Sequence, residues 1–169
     1  MNGKEYAIIG LTSHTAFVDI SVPTAPVYLG KLPTASVSSI WRDIKVYSNH
    51  AFIVSEASAH GMQVFDLTRL RGVVTPQTFT ADFHYTGFGR CHNIAIDEVN
   101  GFAYAIGTRT YVPGGNGVSN GGGPHIINIQ NPTSPAFVNE YNTQGYSHDA
   151  QIVVYNGPDT EHAGKQIYI

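Results

Sequence analysis

The sequence predicts an all-β protein, and three observations support this prediction. Its apolar residues come in short runs rich in β-branched and aromatic side chains, such as Tyr6–Ile9 and Ala51–Val54, and each run is bounded by Gly, Asn, Pro or Ser. No apolar pattern keeps the 3.6-residue period of a helix for three turns. Nine prolines and eighteen glycines interrupt the chain too often for long helices. The predicted elements are therefore short strands joined by tight turns.

Composition and charge exclude several classes of protein. The 169 residues are enough for one domain, or for part of a larger one. Charged residues make up only 12%, which disfavours a disordered chain and a long solvated helical bundle. The net charge is −3 and no basic run occurs, so nucleic acid is not an expected partner. No apolar stretch approaches the length of a membrane span, and the single cysteine, Cys91, cannot form an internal disulfide.

Three short phrases recur along the chain in a fixed order. One is an apolar strand that ends in Asp or Asn and runs into a turn, one is a polar pair that opens a strand, and one is a small polar turn before a strand. The first occurs at Asp19, Asp66 and Asn128; the second at Arg42-Asp43, His92-Asn93 and His148-Asp149; the third at Asn2-Gly3, Ser48-Asn49 and Asn100-Gly101. The spacing gives a repeat of about 50 residues once a glycine-rich insertion at 113–123 is set aside.

A repeat of about this length with four short strands is typical of a β-propeller blade. A tandem sandwich and a β-solenoid are the alternatives, but solenoid coils are usually shorter and sandwiches rarely repeat one internal phrase. The predicted organisation is one β-propeller domain over residues 1–169. Its parts are a partial blade at 1–38, a blade at 39–88, a blade with the insertion at 89–144, and a partial blade at 145–169.

The predicted strands make about three to three and a half blades, which is fewer than the four to eight of a closed propeller. The second blade is predicted to hold strands at Arg42–Tyr47, His50–Glu56, Met62–Leu67 and Gln77–His84. The third is predicted to hold His92–Ile96, Phe102–Ile106, His125–Ile129 and Ala136–Tyr141, and the last only Asp149–Tyr155 and Gln166–Ile169. We therefore expect a fragment of a longer propeller, with open strand edges that favour self-association.

Longer stretches of the chain resemble a known family. They are Ser39–Tyr47 (SIWRDIKVY), His60–Leu70 (HGMQVFDLTRL), His92–Ala95 (HNIA), Gly145–Gln151 (GYSHDAQ) and Tyr155–Asp159 (YNGPD). Together they resemble the choice-of-anchor B family of LVIVD-repeat β-propeller proteins. The resemblance implies a longer bacterial protein that is secreted or displayed on the cell surface, with a signal peptide and a C-terminal sorting signal. It implies a fold and a cellular location, but it does not imply a particular reaction.

The best candidate site is a polar ring at the mouth of the propeller channel, because the first strand of each blade lines that channel. Its members are the strand-opening pairs: Arg42, Asp43, His92, Asn93, His148 and Asp149. Imidazole with carboxylate suits zinc, iron or manganese, and carboxylate with amide oxygen suits calcium. Alternatively, Asp43, Asn93 and Asp149 bond backbone amides of the neighbouring blade. General acid–base catalysis by His92 or His148 is the third possibility.

Other residues have a functional and a structural interpretation. Asp159 and His162 could complete a metal shell around His92, His148 and Asp149, or could lie in a plain exposed turn. The repeated Asp19, Asp66 and Asn128 favour a turn or capping role. Trp41, Tyr85, Phe88 and Tyr146 could form an aromatic face for sugars or peptides, or pack between blades. Cys91 is expected to be a buried thiol, and Gly114–Gly123 a surface loop without phosphate-binding features.

Two hypotheses for function follow from the sequence. The first is a non-enzymatic binding or scaffold module of the cell surface, whose ligand is an unknown protein, peptide or glycan. The second is a metal-assisted hydrolase or lyase at the channel mouth, which needs a divalent cation, either calcium or a transition metal. Propellers serve both classes, so the fold alone does not decide between them.

Overall fold

The computed structural model describes residues 3–109, 122–141 and 143–169, and within them nearly all regular structure is β. The strands form three four-stranded sheets and one two-stranded sheet. The first sheet contains β1 (Tyr6–Gly10), β2 (His14–Asp19), β3 (Val27–Pro33) and β7 (Gln77–Thr78). The second contains β4 (Arg42–Tyr47), β5 (His50–Ser55), β6 (Met62–Asp66) and β8 (Phe83–Tyr85). The third contains β9 (Asn93–Asp97), β10 (Phe102–Ile106), β11 (His125–Asn128) and β12 (Ala136–Glu140). The last contains β13 (Ile152–Val154) and β14 (Gln166–Tyr168).

Successive sheets pack face to face, and an apolar cluster lies between each pair of neighbours. The first cluster joins the first two sheets and includes Phe17, Leu32, Ile53 and Phe65. The second joins the next pair and includes Val54, Met62, Val64 and Ile127. The third, smaller cluster joins the third sheet to the last and includes Tyr104, Ile106 and Tyr168. The prediction of an incomplete, propeller-like all-β fold is confirmed, since, apart from β7, successive parts of the chain form successive sheets and none of these sheets is closed.

The predicted strand Gln77–His84 is wrong as one element. Its start, β7, pairs in parallel with β3 of the first sheet, whereas its end, β8, pairs antiparallel with β6 of the second sheet. Gly30 in β3 makes this switch possible, because a Cβ there would lie 2.1 Å from the Gln77 carbonyl oxygen. The φ angle of Gly30, +139°, is one that other residues rarely adopt. A glycine inside a strand thus lets a second backbone approach closely.

The recurring Asp or Asn at the ends of β2, β6 and β11 forms the same turn in all three sheets. The side-chain Oδ1 accepts a hydrogen bond from the backbone N–H two residues later, at 2.9 Å for Asp19, 2.8 Å for Asp66 and 2.9 Å for Asn128. This is the geometry of an Asx turn, which favours chain reversal after a strand. The turn role predicted from the repetition is confirmed.

No helix in the part of the chain that the structure describes is long and apolar enough to cross a membrane. The only helical segment there is a short 3-10 helix, Leu67–Leu70, which begins directly after the Asp66 turn.

Candidate functional site

A series of polar contacts links the second, third and last sheets at the points where the first strand of each sheet begins. Asp43 Oδ2 accepts a hydrogen bond of 3.0 Å from the backbone N–H of Ile94 in the next sheet. In the third sheet, Asn93 Nδ2 donates at 2.9 Å to Asp149 Oδ1 of the last sheet. These contacts satisfy polar groups between sheets. The alternative expectation was that these residues bond backbone amides of the neighbouring blade. It holds for Asp43, whereas Asn93 bonds the side chain of Asp149.

Each of these three residues also stabilises the backbone at the start of the first strand of its own sheet. Asp43, Asn93 and Asp149 each accept a hydrogen bond of 2.8 Å at Oδ1 from the N–H of the following residue. Because this local bond recurs in three sheets, each side chain is held in place within its own sheet in addition to the bond that it makes with the neighbouring sheet. We call Asp43, Asn93 and Asp149 the inter-sheet polar chain.

Arg42 points away from the inter-sheet polar chain and towards the first sheet. Its guanidinium donates to the Leu11 carbonyl at 3.2 Å, to Thr34 Oγ1 at 2.9 Å, and to His60 Nε2 at 2.8 Å. Arg42 is partly buried, and burial lowers the pKa of its guanidinium. Sequence reasoning placed Arg42 in the ring with His92 and His148; the structure instead uses it to bind the first two sheets together.

His60, which the sequence analysis did not single out, is fully buried beneath Arg42. Its Nδ1 lies 3.0 Å from the Gly61 carbonyl oxygen, which can only accept, so Nδ1 carries the proton and Nε2 accepts from Arg42. Burial is the main cause that lowers the pKa of His60 to about 4. The imidazole is therefore neutral at pH 7.

Four rings form a row across the openings of the last three sheets. Trp41 lies 5.9 Å from His92 between ring centroids, His92 lies 4.2 Å from His148, and His148 lies 6.4 Å from Tyr146. Trp41 and Tyr146, at the ends of the row, are 54% and 49% exposed. We call Trp41, His92, His148 and Tyr146 the aromatic row. By contrast, Tyr85 and Phe88 are buried in the cluster between the second and third sheets.

Glu56 adds a carboxylate to the aromatic row. His92 Nδ1 lies 2.5 Å from Glu56 Oε1, and the two side chains are 15% and 30% exposed. Burial and the Glu56 charge raise the pKa of Tyr146. The sequence analysis missed Glu56 because it does not recur at the equivalent position of the other repeats. The signal that could have identified it is its position one residue after β5.

The remaining candidates do not join the aromatic row. Asp159 and His162 lie in an exposed turn, 3.9 Å apart, where Asp159 Oδ1 accepts from the Glu161 N–H at 3.0 Å. Cys91 is fully buried, its Sγ lies 2.9 Å from the Asn93 carbonyl oxygen, and burial raises the pKa of the thiol. The buried-thiol prediction is confirmed. The glycine-rich insertion falls mostly outside the described residues.

Within residues 3–109, 122–141 and 143–169, no three His, Cys, Asp or Glu side chains are grouped so as to hold a metal ion. Asn93 donates a hydrogen bond to Asp149 Oδ1, and Glu56 Oε1 lies 2.5 Å from His92 Nδ1. The candidate ligands Asp149 and His92 therefore already have protein partners. The metal site remains a prediction, and metal content of the protein with His148 and Asp149 replaced by alanine is the measurement that tests it.

Replacement of Asp43 by alanine is expected to lower the free energy of unfolding by about 1.5–3 kcal/mol, the usual value for hydrogen bonds to a charged group. The loss arises because the Ile94 and Ile44 amides both lose an acceptor. Urea denaturation followed by circular dichroism measures it. The matched control is Asp159→Ala, which removes a carboxylate that bonds only within its own exposed turn and is expected to cost under about 1 kcal/mol. Equal losses in the two variants would contradict an inter-sheet role for Asp43.

Comparison with known proteins adds one finding. Residues 118–143, a stretch that includes β11 and β12, match the LVIVD repeat family. No curated protein and no solved structure is similar enough to the chain to count as a match. The chain therefore carries an LVIVD repeat within an all-β arrangement of sheets, which supports a β-propeller-like module.

Proposed function

We propose that the chain is part of a secreted or cell-surface β-propeller of the choice-of-anchor B family, and that it acts as a binding module for a glycan. The observation that carries the proposal is the aromatic row, with an exposed ring at each end and the Glu56 carboxylate beside it. The LVIVD match supports the propeller architecture, and the longer stretches that resemble the family support a secreted or cell-surface location.

The polar residues near the aromatic row argue for binding over catalysis. The inter-sheet polar chain is engaged in holding the sheets, and Arg42 is engaged by the first sheet and His60. The groups left at the surface include the Trp41 and Tyr146 rings, the exposed His148 imidazole and the partly exposed Glu56 carboxylate. These groups bind a ligand and orient it without any covalent step.

The chemistry of the aromatic row fits a sugar. A pyranose offers apolar C–H faces that pack on Trp and Tyr rings, and hydroxyls that donate to a carboxylate. Trp41 and Tyr146 stand at the ends of the row, so an oligosaccharide could contact a ring at each end. A partly exposed carboxylate between them fixes the orientation of the sugar, as a few polar groups do in most ligand sites.

Trp41 makes this proposal directly measurable, because it is the only tryptophan in the chain. Titration with soluble oligosaccharides, for example trimers of glucose, mannose and N-acetylglucosamine, is expected to change the intrinsic tryptophan fluorescence saturably for at least one of them. Trp41→Ala, followed by calorimetry, is expected to weaken that binding by at least about tenfold, equivalent to 1.4 kcal/mol.

The matched control is Tyr28→Ala, which removes an aromatic side chain, 43% exposed, from the first sheet. This variant is expected to bind as the unmodified protein does. Absence of a fluorescence change across the panel, or equal binding by the Trp41→Ala variant, would contradict the proposal.

A further inference from the structure

Two arginines lie directly opposite each other beside the third sheet. Arg90 precedes β9 and Arg109 follows β10, and they form a β-bridge in which each backbone N–H donates to the carbonyl of the other, at 3.1 and 3.0 Å. Residues opposite each other in an antiparallel pair have Cβ atoms about 4.5–5.5 Å apart on one side. The adjacent residues Cys91 and Thr108 are buried, so both guanidinium groups lie on the other, partly exposed side. We call Arg90 and Arg109 the arginine pair.

The arginine pair has no acidic partner. None of the salt bridges among the described residues involves either guanidinium, and neither guanidinium makes a side-chain hydrogen bond there. Residues 1–2, 110–121 and 142, which lie outside the described ranges, contain no Asp or Glu that could pair with them. By contrast, Arg69 pairs with Asp82. Like charges directly opposite each other destabilise a strand pair, and a bound anion would remove this repulsion.

Backbone contacts from two sheets hold the arginine pair in place. The Gly89 N–H donates to the Arg109 carbonyl at 2.7 Å, and the Gly89 carbonyl accepts from the Gly61 N–H, in the turn between β5 and β6, at 2.9 Å. The Cys91 N–H donates to the Ser55 carbonyl of β5 at 2.9 Å. The two guanidinium groups therefore start from a backbone that is fixed by the second and third sheets together.

The arginine pair adjoins the aromatic row. His92 follows the first arginine by two residues, about 7 Å of extended chain. Gly107 precedes the second by two residues, and a Cβ there would lie 2.9 Å from His92 Cβ and 2.8 Å from the Tyr146 hydroxyl oxygen. Burial and the Glu56 charge raise the pKa of Tyr146, and the charge of Arg109 opposes this rise. One oligosaccharide can therefore reach both the aromatic row and the arginine pair.

The charges at this site fit a sugar with a single localised negative group. A guanidinium is a planar fork of donors that matches a carboxylate, and the two oxygens of one carboxylate have lone pairs enough for both arginines. Glu56, beside His92, accepts hydrogen bonds and repels a second negative charge. A sugar with one carboxylate and several hydroxyls satisfies both groups, because the carboxylate bonds the arginine pair while a hydroxyl donates to Glu56.

From these contacts we propose that the arginine pair binds the carboxylate of a uronic acid, so that the glycan bound by the aromatic row is an acidic one. The inference rests on the proposed glycan function and narrows it to one class of sugar. The aromatic row packs against sugar rings whether or not they are charged, and the arginine pair selects the charged ones.

Calorimetry with matched ligands tests the selection. The ligands are trimers of galacturonate, glucuronate and mannuronate, each compared with its methyl ester, which keeps the sugar and its linkages but carries no charge. At least one acid trimer is expected to bind at least about tenfold more tightly than its ester. Added salt is expected to weaken binding of that acid and to leave binding of the ester unchanged. Equal binding of acid and ester in all three pairs, or no binding of any acid trimer, would overturn the proposal.

Variants of the arginine pair locate the carboxylate. Arg90→Gln and Arg109→Gln are each expected to weaken binding of the acid trimer at least about tenfold and to leave binding of the ester unchanged. The matched control is Arg71→Gln, which removes the same charge from an exposed side chain after the 3-10 helix, and it is expected to bind as the unmodified protein does. Thermal unfolding verifies that the variants fold. A loss common to all three variants, or to none, would overturn the proposal.

Two further results separate this proposal from the glycan function. Trp41→Ala is expected to weaken binding of acid and ester alike, whereas the arginine variants weaken binding of the acid alone. Neutral trimers that bind at Trp41 with no preference for the acid would leave the glycan function standing and overturn the role of the arginine pair. Binding of a sulfated galactose trimer where no uronate trimer binds would assign the arginine pair to a sulfate ester and likewise overturn the proposal.

Discussion

Replacement of Phe65 by alanine is expected to lower the free energy of unfolding by about 3–5 kcal/mol, the usual range for a buried Phe. Phe65 is fully buried between the first two sheets. Its ring stacks on Phe17 at 4.5 Å and meets Phe79 edge-on at 5.1 Å, and the Arg69 guanidinium lies 4.8 Å above it. The truncation leaves a void that the two stiff sheets cannot close. Urea denaturation gives the free energy of unfolding.

Phe137→Ala is the control for this prediction, since Phe137 is 55% exposed on the outer strand of the third sheet. We expect it to cost under about 1 kcal/mol, as surface changes usually do. Phe65→Leu, which restores much of the volume, is expected to recover part of the loss. A Phe65→Ala protein as stable as the Phe137→Ala protein would show that the first two sheets do not depend on this contact.

The free energy of unfolding is expected to fall by about 3 kcal/mol as the pH is lowered from 7 to 4, because of His60. The folded protein holds the pKa of His60 at about 4, below the ordinary value of 6.5 that applies when the chain is unfolded. Between these values the unfolded chain binds the proton and the folded protein does not, so protonation favours unfolding. The stabilising contribution is complete above pH 6.5 and is lost as the pH falls towards 4.

The groups around His60 explain why protonation is opposed. A proton on Nε2 would remove the acceptor used by the Arg42 guanidinium and place two positive charges 2.8 Å apart. His84, whose Nε2 lies 2.6 Å from the His60 carbonyl oxygen, adds further positive charge when protonated. Arg42 would lose one of the bonds by which it joins the first two sheets.

His60→Gln tests the assignment, because glutamine keeps hydrogen-bonding capacity but does not titrate. The variant is expected to lose most of the pH dependence between 7 and 4, measured by urea unfolding at each pH. His162→Gln, at a side chain that is 47% exposed, is the control and is expected to leave the dependence unchanged. Buried His125, whose pKa is also lowered by burial, leaves a dependence of the same sign. The Asp19 carboxyl, with a pKa of about 2, acts only at lower pH. An unchanged profile in His60→Gln would contradict the assignment.

Local patterns carried most of the information about the fold. The short apolar runs predicted strands, and the recurring Asp or Asn at a strand end predicted the turns at Asp19, Asp66 and Asn128. These features depend on residues within a few positions of one another. The segment from Gln77 to His84 was predicted wrongly because its pairing depends on Gly30, 47 residues earlier, which admits the β7 backbone.

The candidate site was predicted only in part. Repetition singled out His92, His148 and the inter-sheet polar chain, and those residues do meet across the sheets. Repetition could not find Glu56 or His60, since neither recurs in the other repeats. It also placed Arg42 with His92 and His148, although Arg42 bonds Leu11, Thr34 and His60 instead. A side chain's partner across a sheet interface is set by twist and packing, which leave no periodic signal in the chain.

The sequence by itself determined the class of fold, the repeated unit and its turns, because strand alternation and Asx turns are local properties of the chain. Only the tertiary structure decided that β7 belongs to the first sheet, that His60 lies buried under Arg42, and that a cavity lies between the third sheet and the last. These outcomes depend on contacts between residues far apart in the chain, and the free energy of such contacts arises only when the sheets pack.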